Sequence, residues 1–144
     1  MSSRLPQEGS RINREKTVDF RFNGKNLKGF DGDTVASALL ANNELFVARS
    51  FKYHRPRGIF SAGEEEPNAL MGIGEGPFFE PNIRATEVKL KQNMKVESQN
   101  HWPTLKFDFL SINNLFSRFF AAGFYYKTFM WPRAAWKHIF EPMI

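Results

Sequence analysis

The sequence of 144 residues contains no cysteine. Disulfide bonds, thiolate nucleophiles and metal clusters held by thiolates are therefore excluded for this chain. A cysteine-free composition is typical of a reducing compartment, and residues 1–16 lack the apolar core of a secretory signal. We therefore predict a cytoplasmic location.

Long apolar runs are also absent. The best candidate, residues 107–131, is interrupted by Asp108, Arg118 and Lys127, so the sequence predicts no membrane-spanning segment. The formal net charge is +5, but acidic residues alternate with basic ones along the whole chain. This distribution argues against a nucleic-acid-binding surface, which would concentrate positive charge on one face.

A β-hairpin is the first element that the sequence predicts. Residues 17–22 alternate apolar and polar side chains, and residues 25–30 supply a second short strand. Asn23-Gly24 between them is the strongest two-residue hairpin signal.

A helix over residues 34–41 follows the hairpin, with Asp33 or Thr34 as its N-cap and Asn42-Asn43 as its end. Further strands are predicted at residues 69–73, 87–90 and 93–96. A hairpin followed by a helix that packs across it predicts an α+β chain with a β-grasp fold.

The composition divides the chain into three parts. Residues 1–16 are polar and form an N-terminal arm, either extended or disordered. Residues 17–98 form the β-grasp domain, and residues 99–144 form an aromatic extension with short helices predicted at 111–122 and 132–140. Twelve aromatic residues lie between positions 107 and 140. They form either a local aromatic core or a docking segment for the rest of a larger subunit or for a partner chain.

The order of elements is that of a plant-type [2Fe–2S] ferredoxin, whose cluster-binding loop would fall within residues 50–70. Such loops carry C-x4-C-x2-C and a fourth cysteine further on. Ser61, Glu66 and Ala69 occupy the first three positions here, and Thr86 occupies the fourth. None of these four ligand positions can supply a thiolate, so we predict a ferredoxin-like domain without a cluster and without a metal site.

A basic segment, residues 49–57, precedes these positions. Four of its side chains are candidates for binding a cofactor phosphate that neighbouring domains hold: Lys52, His54, Arg55 and Arg57. The alternative is that they pair with Glu64, Glu65 and Glu66 and so stabilise the loop in place of a cluster. Closely interleaved acids and bases favour this alternative.

No catalytic residue is predicted. His54, His101 and His138 are interpreted as structural, because a general base needs a partner and a pocket and neither is readable near them. The three glycines Gly72, Gly74 and Gly76 lack the spacing of a G-x-G-x-x-G dinucleotide motif.

Several long motifs resemble one known family. They are residues 49–63 (RSFKYHRPRGIFSAG), 65–70 (EEPNAL) and 122–132 (AGFYYKTFMWP), with shorter matches at 32–34, 36–42, 98–100 and 102–103. Together they resemble the N-terminal domain of the alpha subunit of heterotetrameric sarcosine oxidase, from about residue 11 to Ile144.

This resemblance implies an oxidoreductase complex that oxidises sarcosine and contains NAD, FAD, FMN and folate. It implies that this chain is a fragment that leads to an NAD-binding domain, binds none of these cofactors itself and has no turnover alone. Its role would be structural, in assembly with the rest of the alpha subunit and the other subunits.

Three other functions remain open at this point. The chain is alternatively part of a related amine or opine flavin dehydrogenase, or a stand-alone β-grasp interaction module. An electron-transfer protein is disfavoured because the cysteines are absent.

Overall fold

A five-stranded mixed sheet forms the centre of the computed structural model, which describes residues 4–5 and 11–115. The strand order is β2-β1-β7-β5-β6, and β3 and β4 form a separate two-stranded sheet. The strands are β1 (Asn13–Phe22), β2 (Lys25–Asp31), β3 (Ala48–Arg49), β4 (Pro56–Arg57), β5 (Leu70–Ile73), β6 (Glu80–Arg84) and β7 (Met94–Ser98). The helices are α1 (Val35–Ala41) and two 3-10 helices, Gly76–Phe78 and Phe109–Asn114.

The predicted hairpin is confirmed. β1 and β2 are antiparallel, with Phe20 opposite Leu27. Asn23 and Gly24 both have positive φ, at 47° and 79°, as the two central residues of a type I′ turn require. β1 begins at Asn13 rather than at residue 17, with a register irregularity before Thr17, so pairing with β2 extends into the predicted arm.

The core lies between this sheet and α1. Val18, Phe20 and Phe22 alternate along β1 and are buried, as period-2 spacing requires for one face of a strand. Val35 and Leu39 of α1 are fully buried in the same cluster. Burial of each such side chain contributes about 1.5–3 kcal/mol, so this layer supplies much of the domain's stability.

The helix has the predicted ends. The Thr34 hydroxyl accepts from the Ser37 amide at 3.1 Å, and the Ser37 hydroxyl accepts from the Thr34 amide at 3.0 Å. This capping box satisfies two donors at the start of α1. Asn42 is the C-cap and Asn43 adopts a left-handed φ of 60°.

The predicted strand at residues 87–90 is wrong. The Val35 and Ala36 amides, which are free donors at the start of α1, bind the carbonyls of Val88 and Ala85 at 3.0 and 2.9 Å. Leu90 is buried, so the alternating pattern reflects which side chains are buried. The Val88 carbonyl accepts a hydrogen bond from the first amide of α1 instead of pairing in a sheet.

The strand that pairs with β5 is β6, which lies at the edge of the sheet. It contains Pro81, a residue that an edge strand tolerates because its missing N–H is not needed there. The last predicted strand is confirmed as β7, which runs parallel to β1 and antiparallel to β5. The fold is thus the predicted α+β arrangement, consistent with a β-grasp domain.

The predicted aromatic helices fall mostly outside the described residues. Within 109–114 the chain forms a 3-10 helix, and the rest of the helix predicted at 111–122 is not described. The helix predicted at 132–140, which includes His138, also lies outside the described residues.

Candidate functional site

The Glu66 carboxylate occupies the interior of the loop formed by residues 58–69. Its side chain is only 1% exposed. Oε2 accepts hydrogen bonds from the backbone amides of Phe60, at 2.7 Å, and Ser61. Oε1 accepts from the amides of Asn68, at 2.7 Å, and Ala69, at 3.1 Å. Four backbone donors on both sides of the loop therefore converge on one carboxylate.

The fourth ligand position is attached to the same loop. The Thr86 hydroxyl donates to the Gly63 carbonyl at 2.9 Å, and the Glu66 amide donates to that carbonyl at 3.2 Å. The Ala85 amide binds the Ala69 carbonyl at 3.0 Å. A continuous set of hydrogen bonds therefore connects all four ligand positions.

The electrostatics of the loop favour an ionised Glu66. Burial of the carboxyl raises its pKa, but the amides of Ser61, Asn68, Phe60 and Ala69 together lower it further, so the pKa lies below its usual value. Hydrogen bonds to the charged form of a carboxylate have this effect because they stabilise the anion.

These residues do not fit an iron–sulfur cluster. The four ligand positions offer two hydroxyls, a methyl group and a carboxylate, whereas such clusters need thiolates. The carboxylate is also fully engaged by amides, which would have to be released before it could bind a cation. Within residues 4–5 and 11–115 there is no group of three or more His, Asp or Glu side chains that could hold a metal ion.

The four basic candidates are distributed over different environments. Lys52 and Arg55 lie against the Tyr53 ring, at 5.1 and 4.7 Å from its centroid. Arg57 donates from Nη1 to the Asn68 side-chain carbonyl at 3.0 Å. His54, by contrast, is buried. Phosphate binding by these side chains stays a prediction. The His54 ring already contacts the Asp108 carboxylate.

A buried ion network, which sequence reasoning missed, surrounds Asp108. Its Oδ2 lies 2.9 Å from His54 Nδ1 and 3.4 Å from Arg49 Nε. Oδ1 accepts from the amides of Trp102 and Leu110, at 2.9 and 3.1 Å. Asp108 therefore has four partners, two of them from the basic segment.

Arg49 binds the outgoing segment, residues 99–115, along its backbone. Its guanidinium donates to the carbonyls of Leu105, at 2.8 Å, and Lys106, at 3.2 Å. It also donates to the His54 carbonyl at 2.7 Å, and it lies 5.0 Å from the centroid of the Phe46 ring. Arg49 thus fixes the outgoing segment on the basic segment, together with the contacts of His54 to Asp108 and of Arg55 to the Asn114 side chain.

His54 has an unusual backbone for a residue with a side chain, because its φ is 52°. A left-handed conformation at a non-glycine residue costs about 1–3 kcal/mol and persists only where the surroundings impose it. Here the His54 amide binds the Ser50 carbonyl, and the ring binds Asp108. The only sequence signal for this network was Asp108 itself, a single acid between two phenylalanines.

A third buried acid, Asp33, connects the N-terminal arm to the domain. Its carboxylate accepts from the Phe30 amide at 2.8 Å and from the Ser37 hydroxyl at 2.7 Å. It also forms an ion pair with Arg4, whose guanidinium lies over the Phe30 ring. Sequence reasoning identified Asp33 only as a possible helix cap.

An open cleft of about 540 Å³ lies between the basic segment and the loop. Its apolar lining includes Phe51 and Phe60, which are 58% and 81% exposed. Further large apolar side chains are exposed on the outgoing segment: Trp102, Phe107, Phe109, Leu110, Ile112 and Leu115. The surface around the loop therefore combines aromatic groups with Arg57.

In the described part of the chain, no helix has the length and apolar character needed to cross a membrane.

His101 Nε2 lies 2.7 Å from the Ser98 hydroxyl, which in turn contacts Asn23, so this histidine belongs to a hydrogen-bonded group at the end of β7.

Several known proteins are similar in sequence to this chain. Residues 15–101 match the family described as 2Fe-2S iron-sulfur cluster binding domain. The sarcosine oxidase subunit alpha of Rhizobium meliloti (strain 1021) is 52% identical over 143 residues, which cover 99% of this chain but 14% of that protein. The sarcosine oxidase subunit alpha of Corynebacterium sp. (strain P-1) is 46% identical over 99 residues, covering 65% of this chain and 10% of that protein.

A solved structure is also similar to this chain. The crystal structure of L-proline dehydrogenase from P. horikoshii is similar with a TM-score of 0.50 and 30% identity, over 62% of this chain and 17% of that chain. The chain thus spans about a seventh or less of the sarcosine oxidase subunits that it matches.

The family match covers most of the described domain, and the identity extends to nearly the whole sequence. The resemblance found in the sequence is therefore confirmed. The chain belongs to the family of 2Fe-2S iron-sulfur cluster binding domains and is a homologue of part of the sarcosine oxidase alpha subunit.

Proposed function

We propose that this chain is the cluster-free β-grasp part of the alpha subunit of a sarcosine oxidase-type flavoenzyme. The complete enzyme oxidises sarcosine, and this part serves assembly rather than catalysis. The identity to two sarcosine oxidase alpha subunits supports the assignment of the enzyme.

One structural observation carries the assembly role, namely the network of Arg49, His54 and Asp108. It fixes the backbone of the outgoing segment on the domain, so the chain leaves the domain in a defined direction. Large apolar side chains exposed on that segment then face outward, as expected of a surface that a larger assembly covers.

The proposed role in assembly also implies a division of the chain into domains. We propose an arm that precedes β1, a β-grasp domain that runs from Asn13, the first residue of β1, to Ser98, and a docking segment at 99–144 that leads to an NAD-binding domain. NAD, FAD, FMN and folate would be held by other parts of the complex. The partners would be the remainder of the alpha subunit and the other subunits, and the location would be cytoplasmic.

Substitution of Asp108 in the complete alpha subunit tests this role. Asp108→Ala should release the outgoing segment and reduce the fraction of assembled complex several-fold, as measured by native mass spectrometry after co-expression with the other subunits. The complex that still assembles should oxidise sarcosine at the same rate per complex as the wild type. Glu97→Ala, which removes an exposed acid on β7, is the matched control.

Two results would contradict the proposal. Full assembly of the Asp108→Ala protein would show that the outgoing segment needs no such anchor. Normal assembly with a reduced rate per complex would place the network in catalysis instead.

A second candidate function is a related amine dehydrogenase, which the similarity to L-proline dehydrogenase favours. The complete enzyme would then oxidise L-proline faster than sarcosine. Rates with the two substrates, measured with the same preparation and the same electron acceptor, distinguish the candidates.

A further inference from the structure

The loop of residues 58–69 carries an unusual concentration of inward-facing backbone donors. The amides of Phe60 and Ser61 lie on one side and those of Asn68 and Ala69 on the other, two to each oxygen of Glu66. Successive amides that point into one concavity form an anion-binding site, because their partial positive charges add. The arrangement is thus a small anion site within a loop.

The family to which the chain belongs is named for an iron–sulfur cluster, and the properties of such clusters depend on hydrogen bonds to their sulfur atoms. This chain cannot supply the thiolates, yet its loop keeps four donors that converge on one point. Buried amides without an acceptor are costly, so a loop of this shape requires an acceptor at that point, and an anion is favoured because four partial positive charges converge there. The Glu66 carboxylate meets that requirement from within the chain.

We propose that the loop is an anion-binding site that the protein fills with its own Glu66 carboxylate, and that a small monocarboxylate from solution takes this place when the side chain is removed. The ligand class is set by the geometry, since two donors per oxygen match the two oxygens of formate or acetate. The Ser61 hydroxyl is buried and has no hydrogen-bond partner among the described residues, so it offers one more donor at the same residue.

No charged side chain contacts the Glu66 carboxylate in the described part of the chain. The carboxylate is bound by neutral backbone groups, while Arg57 reaches the loop only through the side chain of Asn68. An anion from solution would therefore be held by neutral donors, namely the four amides and the Ser61 hydroxyl. Selectivity should follow shape, with planar carboxylates preferred to spherical chloride and with cations excluded.

Hydrogen–deuterium exchange of the complete chain, resolved by mass spectrometry, tests the proposal. In Glu66→Ala, exchange in peptides that contain residues 60–61 and 68–69 should accelerate about tenfold or more, because the four amides lose their acceptor. Formate, titrated at constant ionic strength with chloride, should restore protection in a saturable manner. Methylammonium should have no effect.

Glu64→Ala is the matched control, since Glu64 is an exposed neighbour of the same type. It should exchange like the wild type and should not respond to formate. Peptides from β1 report whether the sheet stays folded in each variant.

The proposal is overturned if Glu66→Ala keeps its protection at residues 60–61 and 68–69, or if formate changes nothing while β1 remains protected. If Glu66→Ala does not fold, Glu66→Gln decides, because glutamine keeps the size and one acceptor oxygen. Loss of protection on one side of the loop only would support the proposal, whereas wild-type protection on both sides would refute it.

Discussion

Two buried carboxylates in this domain both accept hydrogen bonds from local backbone amides, but only one of them also contacts a charged side chain. Glu66 is bound by neutral backbone amides that lie within six residues of it along the chain. Asp108 is bound at Oδ1 by two local amides, but its Oδ2 lies next to the charged side chain of Arg49 and to His54, which is 54 positions away. The first arrangement shapes one loop, and the second connects two distant segments.

The difference shows that the structural role of a buried acid depends on where its hydrogen-bonding and charged partners lie along the chain. A carboxylate bound only by local amides holds the two sides of one loop together. A carboxylate that contacts distant side chains connects two segments, and removal of Asp108 leaves the buried charge of Arg49 without its carboxylate.

Asp108→Ala should have the largest effect and would test the Asp108 side of this contrast. It leaves the Arg49 guanidinium without its carboxylate in the protein interior, and breaking such a buried pair costs about 3–5 kcal/mol. Unfolding in urea, followed by circular dichroism, measures the loss. A change comparable to that of the exposed Glu97→Ala would show that the network is not buried.

Glu66→Gln should have a smaller effect, because no charged partner is left behind. One oxygen can still accept, while the new NH2 group faces two amides that need an acceptor, and each unsatisfied amide costs about 1–3 kcal/mol. The same urea experiment gives the value, and Glu64→Gln is the control. Destabilisation larger than that of Asp108→Ala would reverse the comparison.

Arg57→Ala should have the smallest effect of the three. Arg57 is exposed and contacts the loop through one hydrogen bond to Asn68, so its removal should change the free energy of unfolding by about 0.5 kcal/mol or less. A loss above about 1 kcal/mol would mean that the loop depends on the basic segment for its charge balance. Such a result would support the sequence hypothesis in which arginines pair with the loop acids.

The sequence predicts the parts of this domain that depend on neighbouring residues. The turn at Asn23-Gly24 and the cap at Thr34 follow from conformational preferences of single residues, and both are present. The spacing of Ser61, Glu66 and Ala69 indicated the loop, but not that the Glu66 carboxylate would turn inward and bind its amides. No periodicity reports where a side chain of a loop points.

Long-range pairing was beyond the reach of the sequence. Nothing in the spacing connects His54 with Asp108 or Arg4 with Asp33, because such contacts depend on how the completed fold brings loops together. The strand predicted at residues 87–90 failed for a related reason. An alternating pattern records which side chains are buried, and it does not record that the backbone will bind the start of α1.

The ionisation of Glu66 tests the central claim most directly, and carbon-13 NMR of its side-chain carboxyl measures it. Since four amides stabilise the anion, the pKa of Glu66 should lie below the usual range of glutamates. A lowered pKa in the folded state contributes stability that is present above the unfolded-state pKa and is lost as the pH falls through the folded-state pKa. A Glu66 carboxyl that titrates at or above the ordinary glutamate pKa would contradict the account.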